Sequence, residues 1–408
     1  MIPYPEAVAA ILAEVSALRS ESVTLAESDG RILARSINAR LDLPRFDQSA
    51  MDGIGVLASD LADARPLAPR TLSLIGEIPA GVGRRLRLRP GCAVKVFTGS
   101  LLPLGADAVV VKEECRFGSG VVDVGFAPCP GDHIRHRGEE LERGAKLLEA
   151  GTLITPSVLG LLAVNGIDRV QVWTRPEVTL ITMGNEILGR DERLARGRIH
   201  DANGPALTAA LQRCGAARIR RRHVSDDPSA LARVMKQAMG ESDVVITVGG
   251  ASVGDHDHVK AVRARLGVDE RFTRVAIKPG KPTIFGVAEN GTLMFGLPGN
   301  PVSALVTFFL FVRPALRRMQ GLASDDTHLV GAVLAVPLRK QAGLLEWVRG
   351  TLHSESYSEG ERLFTTPTRG QGSHMLSGLA GAEVLIEFPA DRVALAAGDQ
   401  VRVRMLDW

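Results

Sequence analysis

The chain has 408 residues, 45% hydrophobic and 23% charged, the balance of a globular protein with roughly two to four domains and neither of a disordered nor of a membrane-embedded chain. Its 49 Lys and Arg against 46 Asp and Glu leave a formal charge of +3, too even for a nucleic-acid or membrane-surface protein, which needs a concentrated basic field. Glycine is abundant, at 43 residues, and aromatics scarce, at 4%, a bias toward backbone approaching ligands over aromatic stacking.

Residues 5–18 place Val8, Ile11, Leu12, Val15 and Leu18 at the spacing of an amphipathic helix. Residues 43–129 change to short apolar runs punctuated by Gly and Pro, such as 72–75, 93–97 and 108–111, which predicts a β-rich segment. A charged, Gly-punctuated stretch over 131–144 is followed by a helix over 156–164. From residue 176 strands and helices alternate: strands over 178–182, 218–224 and 244–248, helices over 203–213 and 228–239. That βαβ grammar predicts a parallel sheet with ligands at the carboxyl ends of its strands. Beyond residue 323 short strands return, over 328–336, 345–352, 384–388 and 400–405, which predicts a small β-barrel or sandwich.

No basic leader with an apolar core opens the chain, and its best apolar run, 304–312, is far short of the roughly 20 residues of a membrane span. A cytoplasmic protein without a membrane or nucleic-acid partner is expected. Cys92, Cys115, Cys129 and Cys214 are dispersed, without C-x-x-C or zinc spacing, and read as ordinary thiols.

The α/β segment carries the chemistry. Its strands run into Glu186, Asp226 and Asp257, three acids delivered toward one crevice, although Asp226 and Asp227 before Pro228 suit a helix N-cap equally well. Gly249, Gly250, Ser252 and Gly254 lie in a loop whose backbone amides can close on a phosphate. The run Asp255-His256-Asp257-His258 lacks further ligands at transition-metal spacing, so Mg²⁺ shared between carboxylates and substrate phosphates fits better. Lys278-Pro279-Gly280-Lys281-Pro282 is a stiff loop with two ammonium groups, readable as an anion site or as a solvated basic turn. Asn300, Pro301 and Ser303 open an apolar helix whose free amides suit an anion. Acids for a cation beside bases and amides for anions point to a phosphorylated substrate handled with a divalent metal.

Together with two polar turns near Asp52 and Thr98, these islands resemble the molybdopterin molybdenumtransferase family, the MoeA proteins and the homologous C-terminal domain of gephyrin. The resemblance runs in order along the chain: SAMDG from Ser49, TGS from Thr98 with GADAVV following, IRHRGEE from Ile134, GGASVGDHD from Gly249, KPGKP from Lys278, GLPGNPVSA from Gly296 and QGSHMLSG from Gln371. It implies a multidomain α/β plus β fold: an elongated N-terminal domain from residues 1–45 and 132–174, a β-rich inserted domain over 46–131, a MogA-like α/β molybdopterin-binding domain with a parallel-rich sheet over 175–325, and a C-terminal β-barrel-like domain over 326–408. The implied reaction inserts molybdenum from molybdate into adenylylated molybdopterin, releasing AMP with Mg²⁺, in a homodimer supplied by a MogA-type adenylyltransferase and followed by molybdoenzyme maturation proteins.

Carried over by position, the catalytic residues implied are Asp52, Thr98, Glu186, Asp226 and Asp257, with Glu186, Asp226 and Asp257 holding the metal. The oxyanion falls to Lys278, Lys281, Arg349 and Ser373. The chain departs from the family pattern where TGDE becomes Met183-Gly184-Asn185-Glu186, GED becomes Gly138-Glu139-Glu140, a Lys becomes Arg274 and an aromatic becomes Ile54. Asn185 keeps an amide oxygen for coordination and Arg274 keeps its charge. These departures leave a non-catalytic, molybdopterin-binding scaffold, or a tungsten-preferring insertase, as alternatives to the molybdenum enzyme.

Overall fold

The structure is a computed structural model and describes residues 1–84, 86–188, 193–249, 258–322, 329–357 and 360–407. The chain divides into two compact units, one of residues 23–29 and 35–170, the other of residues 1–22, 30–34 and 171–408. Among the described residues no helix is long and apolar enough to cross a membrane.

The first helix, α1 (Tyr4–Glu14), belongs to the larger unit and stops earlier than its spacing predicts. Val15 turns extended at φ −96° and ψ 118°. Val15 and Leu18 still bury against the same core as Ile11, and Leu18 N–H donates to Met319 O at 2.8 Å. Apolar spacing reports which residues face the core, and here non-helical chain still buries Val15 and half-buries Leu18.

The smaller unit is built on β1 (Gly53–Val56), β2 (Arg70–Ile78), β3 (Cys92–Val96), β4 (Ala108–Val111), β5 (Cys115–Phe117) and β6 (Val121–Val124). Their order is β4-β1-β3-β2-β6-β5, antiparallel except for the parallel β2–β3 pair. Ile54, Val56, Leu72, Val110, Val122 and Val124 lie in its buried core, all but Leu72 β-branched, as suits a pleated surface. Helix α2 (Pro156–Val164) starts where Thr155 Oγ1 accepts Val158 N–H at 3.4 Å, with Pro156 at the first helical position.

The larger unit carries the expected parallel sheet. Its strands are β7 (Glu177–Met183), β8 (Arg218–Val224), β9 (Val244–Val248), β10 (Asp269–Phe272), β11 (Ile284–Val287) and β12 (Leu293–Leu297), in the order β8-β7-β9-β12-β11-β10. The β8, β7, β9 and β12 neighbours are parallel, and β11 and β10 add an antiparallel edge. β9 is buried throughout, as a central parallel strand must be. β8 lies at the other edge, where Arg220 pairs with Glu177 at 2.7 Å and Arg221 with Asp201 at 3.1 Å and charge blunts strand addition.

Helices α3 (Asn203–Arg213), α4 (Pro228–Glu241) and α5 (His258–Arg265) connect these strands. α6 (Pro301–Thr307) continues through a π-helical turn, Phe308–Val312, into α7 (Arg313–Met319). The apolar run over 304–312 is thus a buried helical rod, packed with Phe285, Phe295 and Trp347 in one core.

The chain ends in β13 (Leu329–Leu334), β14 (Leu345–Tyr357), β15 (Gly360–Pro367), β16 (Val384–Phe388) and β17 (Gln400–Met405). Their ladder runs β14-β15-β13-β17-β16 and closes where β16 pairs with β14, a five-stranded barrel around Leu334, Val348, Ile386, Phe388 and Val403. The barrel is fastened to the α/β part by a short parallel ladder, Ile277 beside Leu345 and Lys278 beside Glu346.

Candidate functional site

The carboxyl ends of β7, β8, β9 and β12 open into a cleft of about 1050 Å³. Met183, Asn185, Glu186, Asp226, Gly249 and Asn300 are among its walls, so four of the positions expected from the sequence, Glu186, Asp226, Gly249 and Asn300, meet in one space. The parallel strand order does this: β7 is flanked by β8 and β9, and β12 follows β9. Gly249 N–H donates to Leu297 O at 3.2 Å, which ties the glycine loop to the start of the Pro298-Gly299-Asn300 turn. Gly250, Ser252, Gly254 and Asp257, with the rest of the Asp-His-Asp-His run apart from the backbone of His258, lie outside the described residues.

Asp226 and Asp227 separate into the two roles that the sequence left open. Asp227 caps α4, accepting Ser229 N–H at 3.1 Å and Ala230 N–H at 3.0 Å. Asp226 instead clasps Asn185: Asn185 N–H donates to Asp226 Oδ2 at 3.1 Å, and Asp226 N–H donates to Asn185 Oδ1 at 3.2 Å. One lone-pair direction of the Asn185 amide oxygen is therefore occupied by a neighbouring strand end, and the side chain works as a brace for Asp226. Glu186 folds back over Gly184, whose φ of +135° and missing Cβ leave the room: a Cβ there would lie 2.5 Å from Glu186 Oε2. Among the described residues no three His, Cys, Asp or Glu side chains stand close enough to hold a metal by themselves.

The basic loop lies beside this cleft, with Pro282 in its wall. Lys278 and Lys281 are exposed. Gly280 between them has φ +109°, and a Cβ would lie 2.2 Å from Thr307 Cγ2 of α6, so the loop can press onto the helix only with glycine there. Lys278 Nζ pairs with Glu346 Oε1 at 3.0 Å. Ser373 joins the loop after β15 to the start of α6: Asn300 Nδ2 donates to Ser373 Oγ at 3.0 Å, and Val302 N–H donates to Ser373 O at 3.2 Å. Asn300 precedes α6 without capping it by its side chain. Ser303 is buried within that helix and is not among the described residues that line the cleft.

Arg349 is 1% exposed. Its Nη2 donates to Gly370 O at 2.9 Å and Gly372 O at 3.4 Å, while Gln371 Nε2 donates to Arg349 O at 2.8 Å. Burial pushes its pKa down, against the opposing pull of Glu346. The guanidinium thus holds the loop that presents Ser373.

Asp52 and Thr98 belong to the smaller unit and meet there. Thr98 N–H and Thr98 Oγ1 both donate to Asp52 Oδ1, each at 2.9 Å, and Lys112 Nζ stands 3.9 Å from Asp52 Oδ2. The two Thr98 donors hold the carboxyl below its ordinary range.

Three residues near the larger unit's site escaped sequence reasoning. Asn203 lines the cleft and donates through Nδ2 to Gly299 O at 2.7 Å; its place at the start of a helix after an Asp-Ala pair was the available signal. His374 lines the cleft one residue after Ser373. Glu346 had no signal, because only strand pairing brings it beside Lys278.

The architecture is that of a multidomain protein with a MogA-like α/β domain, a β-rich part and a terminal barrel. Three family descriptions match in order: "MoeA N-terminal region (domain I and II)" over residues 2–166, "Probable molybdopterin binding domain" over 179–318 and "MoeA C-terminal region (domain IV)" over 331–406. The chain is 34% identical to molybdopterin molybdenumtransferase of Nostoc sp., covering 95% of this chain and 89% of that one. It is 36% identical to molybdopterin molybdenumtransferase 2 of Mycobacterium tuberculosis, covering 95% of each. The crystal structure of a molybdopterin biosynthesis MoeA protein from Pyrococcus horikoshii superposes with a TM-score of 0.83 at 29% identity, covering 99% of this chain and 100% of that one. The chain belongs to the molybdopterin molybdenumtransferase (MoeA) family.

Proposed function

We propose that this protein is a transferase of molybdenum cofactor biosynthesis that inserts molybdenum from molybdate into adenylylated molybdopterin and releases AMP. The observation that carries this reading is the convergence of Glu186, Asp226, Gly249 and Asn300 on one strand-end cleft with the basic loop at its edge. Lys278 and Lys281 would neutralise the molybdate dianion and Ser373 would donate to an oxo group. The glycine loop from Gly249 would steady a phosphate through its amides. Asp52 and Thr98 form a second polar site, to which the family pattern assigns a part in catalysis.

Glu186 and Asp226 supply hard carboxylate oxygens to one cleft, a donor set that suits Mg²⁺ held jointly with substrate phosphates and too small to cage it alone. Asp257 completes the set on the family pattern. When bound, Mg²⁺ would polarise the phosphoanhydride that joins pterin to AMP. The same reading takes the protein as a cytoplasmic homodimer of four domains, residues 1–45 with 132–174, 46–131, 175–325 and 326–408.

The test is incubation of the purified protein with adenylylated molybdopterin, Mg²⁺ and molybdate, reading AMP release and metal retained on the pterin. Binding without molybdate-dependent AMP release would establish the scaffold instead, and in a parallel incubation with equal molybdate and tungstate, retention of tungsten over molybdenum would establish the tungsten enzyme. Lys278→Ala should weaken molybdate use more than pterin binding, and Asp226→Ala should damage AMP release. Equal losses of pterin affinity in both would refute that division.

A further inference from the structure

The basic loop carries a resident anion. Parallel pairing sets Lys278 beside Glu346 at the base of the barrel, and their side chains close an ion pair at 3.0 Å. The partners differ in exposure: the Glu346 side chain is 15% exposed and that of Lys278 61%. Glu346 also acts on two further cations, opposing the burial that lowers the pKa of Lys340 and of Arg349.

Those two are anchored elsewhere. Lys340 Nζ donates to Leu344 O at 2.7 Å and lies 4.8 Å above the Phe388 ring, and Arg349 is held by the 370–372 carbonyls. Lys278 is the long, solvated arm of the group, and an ion pair with one partner so exposed is weak. A carboxylate embedded in positive charge, with a displaceable ammonium, presents the charge pattern of a site already holding its anion.

We propose that Glu346 is a positioning residue that holds Lys278 while the site is unliganded and yields it to an incoming tetrahedral oxyanion. The idea rests on reading the loop around Lys278 and Lys281 as the oxyanion end. Binding then costs the Lys278–Glu346 pair and meets repulsion from the remaining carboxylate, which grows with the charge of the ligand. Departure of the oxyanion is helped by Glu346 recapturing Lys278, so the site releases its cargo instead of retaining it.

The test uses the full chain at low ionic strength, with calorimetric titration of molybdate, a dianion, and perrhenate, a monoanion. Glu346→Gln should bind molybdate about five- to tenfold tighter and perrhenate by a smaller factor. Glu346→Asp, which keeps the charge, should stay within about twofold of the parent. In turnover Glu346→Gln should lower KM for molybdate and kcat together. A folded Glu346→Gln protein that binds both anions no tighter, or more weakly, overturns the proposal and leaves the oxyanion reading standing. Binding of neither anion by parent or variant overturns both, whereas binding by the variant alone supports the resident anion.

Discussion

Gly280→Ala isolates what the basic loop needs from the fold. The residue has φ +109°, where an alanine costs about 1–3 kcal/mol in backbone strain. Its new Cβ would lie 2.2 Å from Thr307 Cγ2 and 3.2 Å from Ile277 Cδ1, an overpacking of about 1–3 kcal/mol more. Thr307 cannot easily turn away. It is fully buried, and its hydroxyl donates to Ser303 O at 2.7 Å. The total expected loss is about 2–6 kcal/mol. Thr307→Ser keeps the hydroxyl and deletes the clashing methyl, at a cost of about 1 kcal/mol by itself. The double variant should therefore recover the steric part and retain the backbone part, giving a favourable coupling of about 1–3 kcal/mol. All three tryptophans lie in the larger unit, so intrinsic fluorescence in a denaturant titration reports that unit's unfolding. A coupling within about 0.5 kcal/mol of zero, or a Gly280→Ala protein as stable as its parent, would refute the reasoning.

Other outcomes follow from the same geometry. Asp227→Ala removes both acceptors at the start of α4 and should cost about 1 kcal/mol of stability, read by the same fluorescence; no change would show that this cap does not stabilise the unit. Arg349→Lys replaces the Nη2 that donates to both the Gly370 and Gly372 carbonyls by an ammonium on a shorter arm with different donor directions. It should weaken oxyanion binding with little change in pterin affinity, and an unchanged molybdate titration would show that the loop stands without it. The Asp52 carboxyl is held below its unfolded value by the Thr98 amide and hydroxyl. That contribution is fully present above the ordinary carboxylate range, near pH 4, and is lost as pH falls through the depressed folded value. A carboxyl NMR titration should show Asp52 moving part of the way up toward the ordinary range in Thr98→Val, which deletes the hydroxyl and keeps the amide, and no movement would leave the amide as the sole Thr98 contribution.

Much of the fold was legible because its signals are local. The continuous apolar runs of β7 and β9 read as buried parallel strands, and the alternating pattern near Val384 and Val403 read as barrel strands. α1 shows the limit: Val15 and Leu18 carry helical spacing and pack on the core, Val15 buried and Leu18 half-buried, yet the helix has ended at Glu14. Periodicity encodes burial, and two backbone conformations can satisfy it over a few residues. The candidate site was legible as islands, Glu186, Asp226, Gly249 and Asn300 among them, because strand ends of a parallel sheet must share one edge. The choice between Asp226 and Asp227 was not legible. Both precede Pro228, and only hydrogen bonding shows that one caps α4 while the other clasps Asn185.

By itself the amino-acid sequence determined the alternation of strands and helices, the apolar helix that opens at Pro301 and runs through residue 312, and the chemical types available at each turn. These follow from interactions between residues near in the chain: side-chain period, capping and the special backbone of glycine and proline. Tertiary structure alone decided which of those residues meet. The order β8-β7-β9-β12 gathers the cleft, the closure of the barrel buries Arg349 behind the loop of Ser373, and one parallel ladder sets Glu346 against Lys278. Such pairings depend on strand order and register across long stretches of chain, and no local pattern specifies them.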